Sequence, residues 1–318
     1  MQAAPVSAPQ QVVVREVGLR DGLQVLARPV PTAFKCDWIL LAYAAGLRHI
    51  DVGTYAAPGR LPQMADTPEV VAFATTLPDL QVCVQVHDAE GAARAFDAGV
   101  AMVTLPISAS DRYGQASVGR NAAQMLQELA QISTLRDERA MATQIEAGIS
   151  TAFSCMRLGH MAPEVVLGLV RESVQRGADQ IGLGDTFGHA TPEAVRELFQ
   201  RARPLTNGRT LNAHLHGDDS GHLATVEATL DVGVTHVDAS LAGMGGSRLV
   251  PGTHGNVSLE AVAELLQRRG VDVGVDRRTL AELRRFAGVN PDALALFGAM
   301  GRAAEEARRR YPFDLGTY

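Results

Sequence analysis

The chain has 318 residues, 46% hydrophobic and 20% charged, with a formal net charge of −6. That is the composition of an ordinary globular protein, long enough for one large barrel or two smaller domains, and its negative balance gives no electrostatic reason to expect nucleic acid as a partner. No apolar run reaches the length of a membrane span, and Cys36, Cys83 and Cys155 lie too far apart for a zinc site or a disulfide framework, so a reducing cytoplasm is the expected setting.

Residues 1–11 are rich in Ala, Pro and Gln. They lack the basic and apolar regions of a signal peptide and the arginines of a presequence, which predicts a short disordered tail. From residue 12 onward, short β-branched runs alternate with helical patterns. Strands are expected at 12–17, 49–53, 81–86, 102–107, 142–146, 180–184, 211–214 and 236–240. Several are apolar throughout, as in a parallel sheet covered on both faces. The intervening helices are expected at 33–45, 68–77, 89–98, 119–134, 163–176, 192–202 and 221–232, with another at 259–267. Gly46, Gly99, Gly177 and Gly233 each stand between a helix and the next strand, where a left-handed residue ends a helix cheaply. Eight strand–helix units in series predict an α/β fold, a closed (β/α)8 TIM barrel over residues 12–273, with an open doubly wound sheet as the alternative. Residues 274–318 read as a helical extension packed on the barrel, with helices at 278–287 and 291–310.

In such a barrel, residues just past the C-terminal ends of the strands converge on one mouth. Arg20-Asp21-Gly22 follows the first strand, Asp51 lies in the second, Glu146 ends the fifth, and Gly184-Asp185-Thr186 follows the sixth. The seventh strand runs into His214-Leu215-His216. Residues two apart on a strand face the same side, so both imidazoles can grip one cation, with Asp21 as a possible carboxylate ligand from the neighbouring first strand. Two histidines and a carboxylate suit Mn²⁺, Mg²⁺, Zn²⁺ or Fe²⁺ alike. Each feature also has an ordinary reading: a surface turn for Arg20-Asp21-Gly22, a polar strand end for Asp51, a helix cap for Asp185. The glycine-rich loop 243–255 lacks the Lys-Ser/Thr of a phosphate-binding loop and reads better as a lid. His87, His160, His189, His222 and His254 are expected at the surface or behind the ligands.

As an ordered set these segments resemble the 3-hydroxy-3-methylglutaryl-CoA lyases, within the wider group of metal-dependent TIM-barrel lyases and condensing enzymes. The resemblance rests on Glu16-Val17-Gly18-Leu19-Arg20-Asp21-Gly22-Leu23-Gln24, Pro62-Gln63-Met64-Ala65-Asp66, Ser108-Ala109-Ser110, Gly182-Leu183-Gly184-Asp185-Thr186, His214-Leu215-His216, the run from Val237-Asp238 to Gly245-Gly246, and Gly255-Asn256. It implies that Asp21, His214 and His216 bind a divalent metal, Mg²⁺ or Mn²⁺ with Zn²⁺ possible, and that Asn256 is a further ligand. It implies that Arg20 steadies a carbonyl or enolate oxygen, that Asp185 lies beside the metal site, and that Asp51 stands where the family has Glu. Three departures accompany it. Ser247 occupies the position of the family's lid cysteine, Met156-Arg157-Leu158-Gly159-His160 replaces a Gly-Cys-Pro-Tyr stretch, and Leu19 replaces a proline.

The function so implied is a lyase that cleaves a 3-hydroxyacyl-CoA to acetyl-CoA and a keto acid. Asp185 or His214 would take the hydroxyl proton, Arg20 would hold the enolate oxygen, and Ser247 would stand at the protonation step as a poorer donor than a thiol. A homodimer is implied as well. A 4-hydroxy-2-oxoacid aldolase or an acyl-CoA condensing enzyme is the alternative reading within enzymes, disfavoured by the lack of room for a large additional domain. A catalytically impaired barrel acting as a binding protein is the alternative outside them.

Overall fold

The structure, a computed structural model, describes residues 11–287 apart from 27, 58, 156–158, 218–222, 248 and 250–253. Eight parallel strands close on themselves: β1 (Val13–Glu16), β2 (His49–Tyr55), β3 (Gln81–Val86), β4 (Met102–Ser108), β5 (Gln144–Ser150), β6 (Gln180–Asp185), β7 (Thr210–Leu215) and β8 (His236–Ala239), with β8 pairing β1 to complete the ring. The closed barrel is the expected fold, and the open sheet is excluded. Alternation along each strand divides the side chains. Ile50, Val84, Val103, Ile145, Ile181 and Val237 are fully buried among the helices. The residues next to them in sequence line the barrel interior.

The helices are α1 (Thr32–Ala44), α2 (Thr67–Ala74), α3 (Ala89–Asp97), α4 (Asp111–Val118), α5 (Ala122–Glu138), α6 (Pro163–Gln175), α7 (Pro192–Ala202), α8 (Leu223–Asp231), α9 (Leu259–Arg268) and α10 (Arg277–Ala287). The four glycines expected to end helices all have positive φ, between 72° and 99°. The first helix of the C-terminal extension is present as α10, which packs on α1 and buries Leu280 and Leu283. The helix expected at 291–310 and the tail at 1–10 lie outside the described residues. No described helix is long and apolar enough to cross a membrane.

Two elements differ from expectation in ways that shape the site. β5 does not end at Glu146 but runs to Ser150, because Leu105 to Ser108 of β4 continue to pair with Ala147 to Ser150. Glu146 therefore sits inside the barrel, not at its rim. The helix expected at 119–134 is present as α5, and a further helix, α4, stands before it where none was expected. Ser110 caps α4, Gly119 ends it at φ 75°, and Asn121 with Gln124 forms a reciprocal capping box that starts α5.

Candidate active site

The interior is organised around a buried arginine. Arg15 on β1 donates from Nε and Nη2 to the two oxygens of Asp238 on β8, both at 2.8 Å, and from Nη2 to Oε1 of Glu146 at 2.9 Å. Burial alone would raise the Asp238 carboxyl, but Arg15 and a hydrogen bond from His214 outweigh it and hold the group far below the usual carboxylate range. Asp238 is thus an anion, and the Nδ1 of His214, 2.9 Å from Oδ2, must carry the proton it donates.

The second histidine is oriented by a different acceptor with the same result. The segment after the β8 loop returns along the barrel rim, where Asn256 bridges to His216 and Val257 donates to the carbonyl of Leu215. This places the carbonyl of His254 3.1 Å from Nδ1 of His216. A carbonyl can only accept, so this ring too is protonated at Nδ1. Both Nε2 atoms are left with lone pairs, and they face one another at 3.1 Å. Burial, reinforced by His214, lowers the pKa of His216 to about 4, which favours its neutral ring near neutrality. Two lone pairs at this distance are complementary to a cation.

Asp21 completes the group. It lies in a wide turn, Gly18–Gly22, that continues directly from β1 and is buried throughout. Glu16 shapes that turn by accepting from the amides of Gly18 and Leu241, and burial raises its own pKa to about 7. Asp21 Oδ2 is 3.8 Å from Nε2 of His216, and ligand atoms of Asp21, His214 and His216 all fall within 4.8 Å of one another. Burial pushes the Asp21 carboxyl up, but Arg20 and the two histidines prevail and keep its pKa below the ordinary value. Asn256 donates from Nδ2 to Asp21 Oδ2 at 2.7 Å, and its own Oδ1 is buried without a partner, a spare oxygen beside the three ligands. The donor set fits a divalent cation, with imidazole nitrogens turned by their supporting acceptors as metal sites require.

Arg20 and Asp51 act as a pair. Arg20 donates from Nε to Asp51 Oδ2 at 2.7 Å and from Nη1 to Asp21 Oδ1 at 2.6 Å. Burial opposes the guanidinium charge, but the two carboxylates keep it firmly protonated. Asp51 grips Arg20 without lining the cavity itself. Asp185 accepts from the amides of His189 and Ala190, at 3.2 and 2.8 Å, and so fixes the loop that leaves β6. It too is absent from the cavity lining.

The described first part of the loop after β8 passes beside Asp21 and Asn256. A Cβ at Gly245, whose φ is +139°, would stand 2.1 Å from Asn256 Nδ2 and 2.7 Å from Asp21 Oδ2, so only glycine lets the backbone pass. Two residues on, Ser247 Oγ meets the phenol of Tyr113 from α4 at 3.0 Å. The Tyr113 ring stands edge-on to Phe187. The cavity that these residues enclose is about 590 Å³ and opens at the C-terminal mouth, bordered by Arg20, Asp21, His214, His216, Tyr113 and Ser247. Of the candidate residues, Asp21, His214, His216, Asn256 and Arg20 are brought together, with Ser247 across the same space. Sequence reasoning missed Arg15, Asp238 and Tyr113. The signal available for the first two was a charged residue at an interior position of an otherwise apolar strand.

Fold and site together define a (β/α)8-barrel enzyme that works at its C-terminal mouth. The chain belongs to the HMGL-like family, whose model matches residues 11–287, and it is a carbon–carbon lyase. It is 31% identical over 277 residues to a Pseudomonas aeruginosa protein named 3-hydroxy-3-isohexenylglutaryl-CoA/hydroxy-methylglutaryl-CoA lyase, covering 87% of this chain and 92% of that one. Among solved structures, the hydroxymethylglutaryl-CoA lyase of Pseudomonas aeruginosa superposes with a TM-score of 0.82 at 29% identity, over 96% of this chain and 100% of that chain. The HMG-CoA lyase of Acinetobacter baumannii, in complex with coenzyme A and 3-methylmalate, matches equally well, with a TM-score of 0.82 at 29% identity over 90% and 94% of the two chains.

Proposed function

We propose that this protein cleaves a 3-hydroxyacyl-CoA of the 3-hydroxy-3-methylglutaryl-CoA kind into acetyl-CoA and a keto acid, with Mg²⁺ or Mn²⁺ held by Asp21, His214, His216 and Asn256. The observation that carries this reading is the facing pair of Nε2 lone pairs beside Asp21, each turned there by a proton committed on Nδ1. A divalent cation there supplies Lewis acidity toward the substrate's hydroxyl and carbonyl oxygens. Arg20, fixed by Asp51 and Asp21, presents a permanent planar charge to the oxygen that gains electron density as the carbon–carbon bond breaks. Because His214 offers its free nitrogen to the cation, Asp185 is the remaining sequence candidate for proton acceptor. Its carboxylate caps the β6 loop through the amides of His189 and Ala190 and would have to turn from them toward the cavity to take that proton. The Tyr113–Ser247 pair, which borders the same cavity as the cation ligands, supports a reading in which it returns a proton to the product carbon.

The test is to incubate the Mn²⁺-loaded protein with a panel of 3-hydroxyacyl-CoA thioesters and measure acetyl-CoA and keto acid. Release from at least one thioester is expected. No release from any, or release of pyruvate from a 4-hydroxy-2-oxoacid instead, overturns the proposal.

A further inference from the structure

The interior of a (β/α)8 barrel is normally filled by layers of bulky side chains. On one wall of this barrel it is not. Gly148 of β5 and Gly182 and Gly184 of β6 all line the cavity, and they are neighbours in register: Gly148 pairs with Gly182, Gly182 with Asn212, and Gly184 with His214. The nearest neighbours of a Cβ at Gly184 would be backbone atoms of the adjacent strands, with Ile149 O at 3.4 Å, Ser150 Cα at 3.5 Å and His214 O at 3.8 Å. At Gly148 it would meet the Thr104 methyl at 3.2 Å and nothing else nearer than the carbonyl of Leu105 at 3.8 Å. No side chain from across the barrel comes within 4 Å of the Gly148 position among the described residues. The bare wall thus begins beside His214, one of the three cation ligands, and runs inward from it.

The inner end of this alcove is polar. Glu146 Oε1 accepts from Arg15 and Thr104, and would lie 3.2 Å from a Cβ at Gly182, so the carboxylate leans over that glycine. Its Oε2 is buried with no hydrogen-bond partner among the described residues. Nδ2 of Asn212, the register partner of Gly182, is likewise buried and unpartnered. An unsatisfied buried acceptor and an unsatisfied buried donor are each costly. A hydroxyl group brought to this end of the alcove can donate to the first or accept from the second.

We propose that the β5–β6 wall is an acyl subsite, which takes a substituent longer than methyl on the hydroxyl-bearing carbon of the substrate and prefers one that ends in a hydroxyl group. This rests on the lyase reading above for the position of that carbon, since a substrate hydroxyl held beside His214 directs its carbon's branch along Gly184 and Gly182. The glycines supply the space, Glu146 and Asn212 the terminal hydrogen bonds.

The test uses the Mn²⁺-loaded protein with three free acids as binding probes: 3-hydroxy-3-methylglutarate, its 3-propyl analogue and its 3-(3-hydroxypropyl) analogue. The same acyl groups, as CoA thioesters, probe turnover. Titration calorimetry is expected to rank hydroxypropyl above propyl above methyl, with at least about tenfold between the ends of the series. Gly184→Ala, whose added methyl meets only ordinary van der Waals contacts, is expected to narrow that ratio to about threefold or less. Gly148→Ala serves the same purpose should the first variant fail to fold. A methyl acid that binds as tightly as the longer ones, or a ratio that survives both substitutions, overturns the subsite, and a propyl acid that equals the hydroxypropyl one overturns the role of Glu146 and Asn212. If the ranking holds but no thioester is cleaved, the lyase reading falls and the subsite stands. If the methyl thioester is cleaved and longer branches bind more weakly, the reverse holds.

Discussion

On the β7–β8–β1 side of the mouth, Arg15, Asp238, His214, His216 and Asp21 are each fixed by hydrogen bonds to named partners, whereas on the β5–β6 side three interior positions carry no side chain at all. The first wall is preorganised. Every charge there has an opposite charge or a committed acceptor, and breaking one such pair leaves a buried charge uncompensated at a cost of about 3–5 kcal/mol. The second wall has almost nothing to reorganise and is defined by what it leaves open. Chemistry that must be repeated on every substrate needs the first kind of surface. A choice among substrates can be made by the second, and changed there without disturbing the first.

This division is broken most severely by removing a ligand from the crowded wall. Asp21→Asn is expected to abolish binding of one equivalent of Mn²⁺ and to lower kcat by about 10³-fold, the loss of several kcal/mol of Lewis-acid stabilisation. Elemental analysis and turnover of the cleaved thioester check both, and unchanged metal content would remove Asp21 from the ligand set. The next largest effect tests the support behind the ligands. Asp238→Asn removes the anion that fixes the tautomer of His214 and half of the partnership of Arg15. A loss of about 10–100-fold in metal affinity is expected, with Gly148→Ala as the control from the opposite wall, where metal affinity should not move.

The two walls were also unequally legible in the sequence. His214 and His216 announce themselves because a spacing of two on a strand is a spacing on one face, and Asp21 because it follows a strand end. Arg15 and Asp238 give no such notice: they are 223 residues apart, and only barrel closure, which pairs β1 with β8, brings them together. Glu146 was legible as an acid but placed at the end of its strand, four residues short, because the pairing with β4 that carries β5 through Gly148 to Ser150 is not visible in the sequence. That same glycine conceals the bare wall, since a missing side chain leaves no motif. Tyr113 was hidden for a different reason. Residues 111–118 carry too weak a pattern to read as a helix, and the helix stands on its cap at Ser110 and its stop at Gly119.

A smaller effect tests the contact that spans the mouth. Tyr113 on α4 and Ser247 on the β8 loop are joined at 3.0 Å, and burial, with Asp21 nearby, raises the phenol's pKa so that it keeps its proton near neutrality. If the two serve as one unit, Tyr113→Phe and Ser247→Ala should each lower kcat by about tenfold, and the double variant by little more than either alone. Multiplicative losses would mean that they act separately. Ser247→Cys supplies a more acidic donor at the same place and is expected to raise kcat above the wild-type value if protonation limits the rate.

The smallest effect is one of stability and belongs to neither wall. His87 lies at the cavity edge just past β3, buried, with its pKa lowered to about 4 by burial and then by Arg60. The folded protein therefore holds this ring neutral where the unfolded chain, near the ordinary histidine value of 6.5, already binds a proton. Stability from this group is fully present above about pH 6.5 and is lost as the pH falls toward 4. His49 and His216, both also lowered to about 4, act in the same sense, whereas Glu16, raised to about 7, acts in the opposite one, losing its contribution as the pH rises through 7. His87→Gln removes one contribution of this sense among the four described histidines whose pKa is lowered, His49, His87, His216 and His236. In chelator, so that metal release does not intrude, its melting temperature should fall less than that of the wild type between pH 7 and pH 5, by on the order of 2 °C. Parallel curves would show that the ring is solvated and protonates freely, and would free the β3 side of the mouth to bear a positive charge toward the substrate.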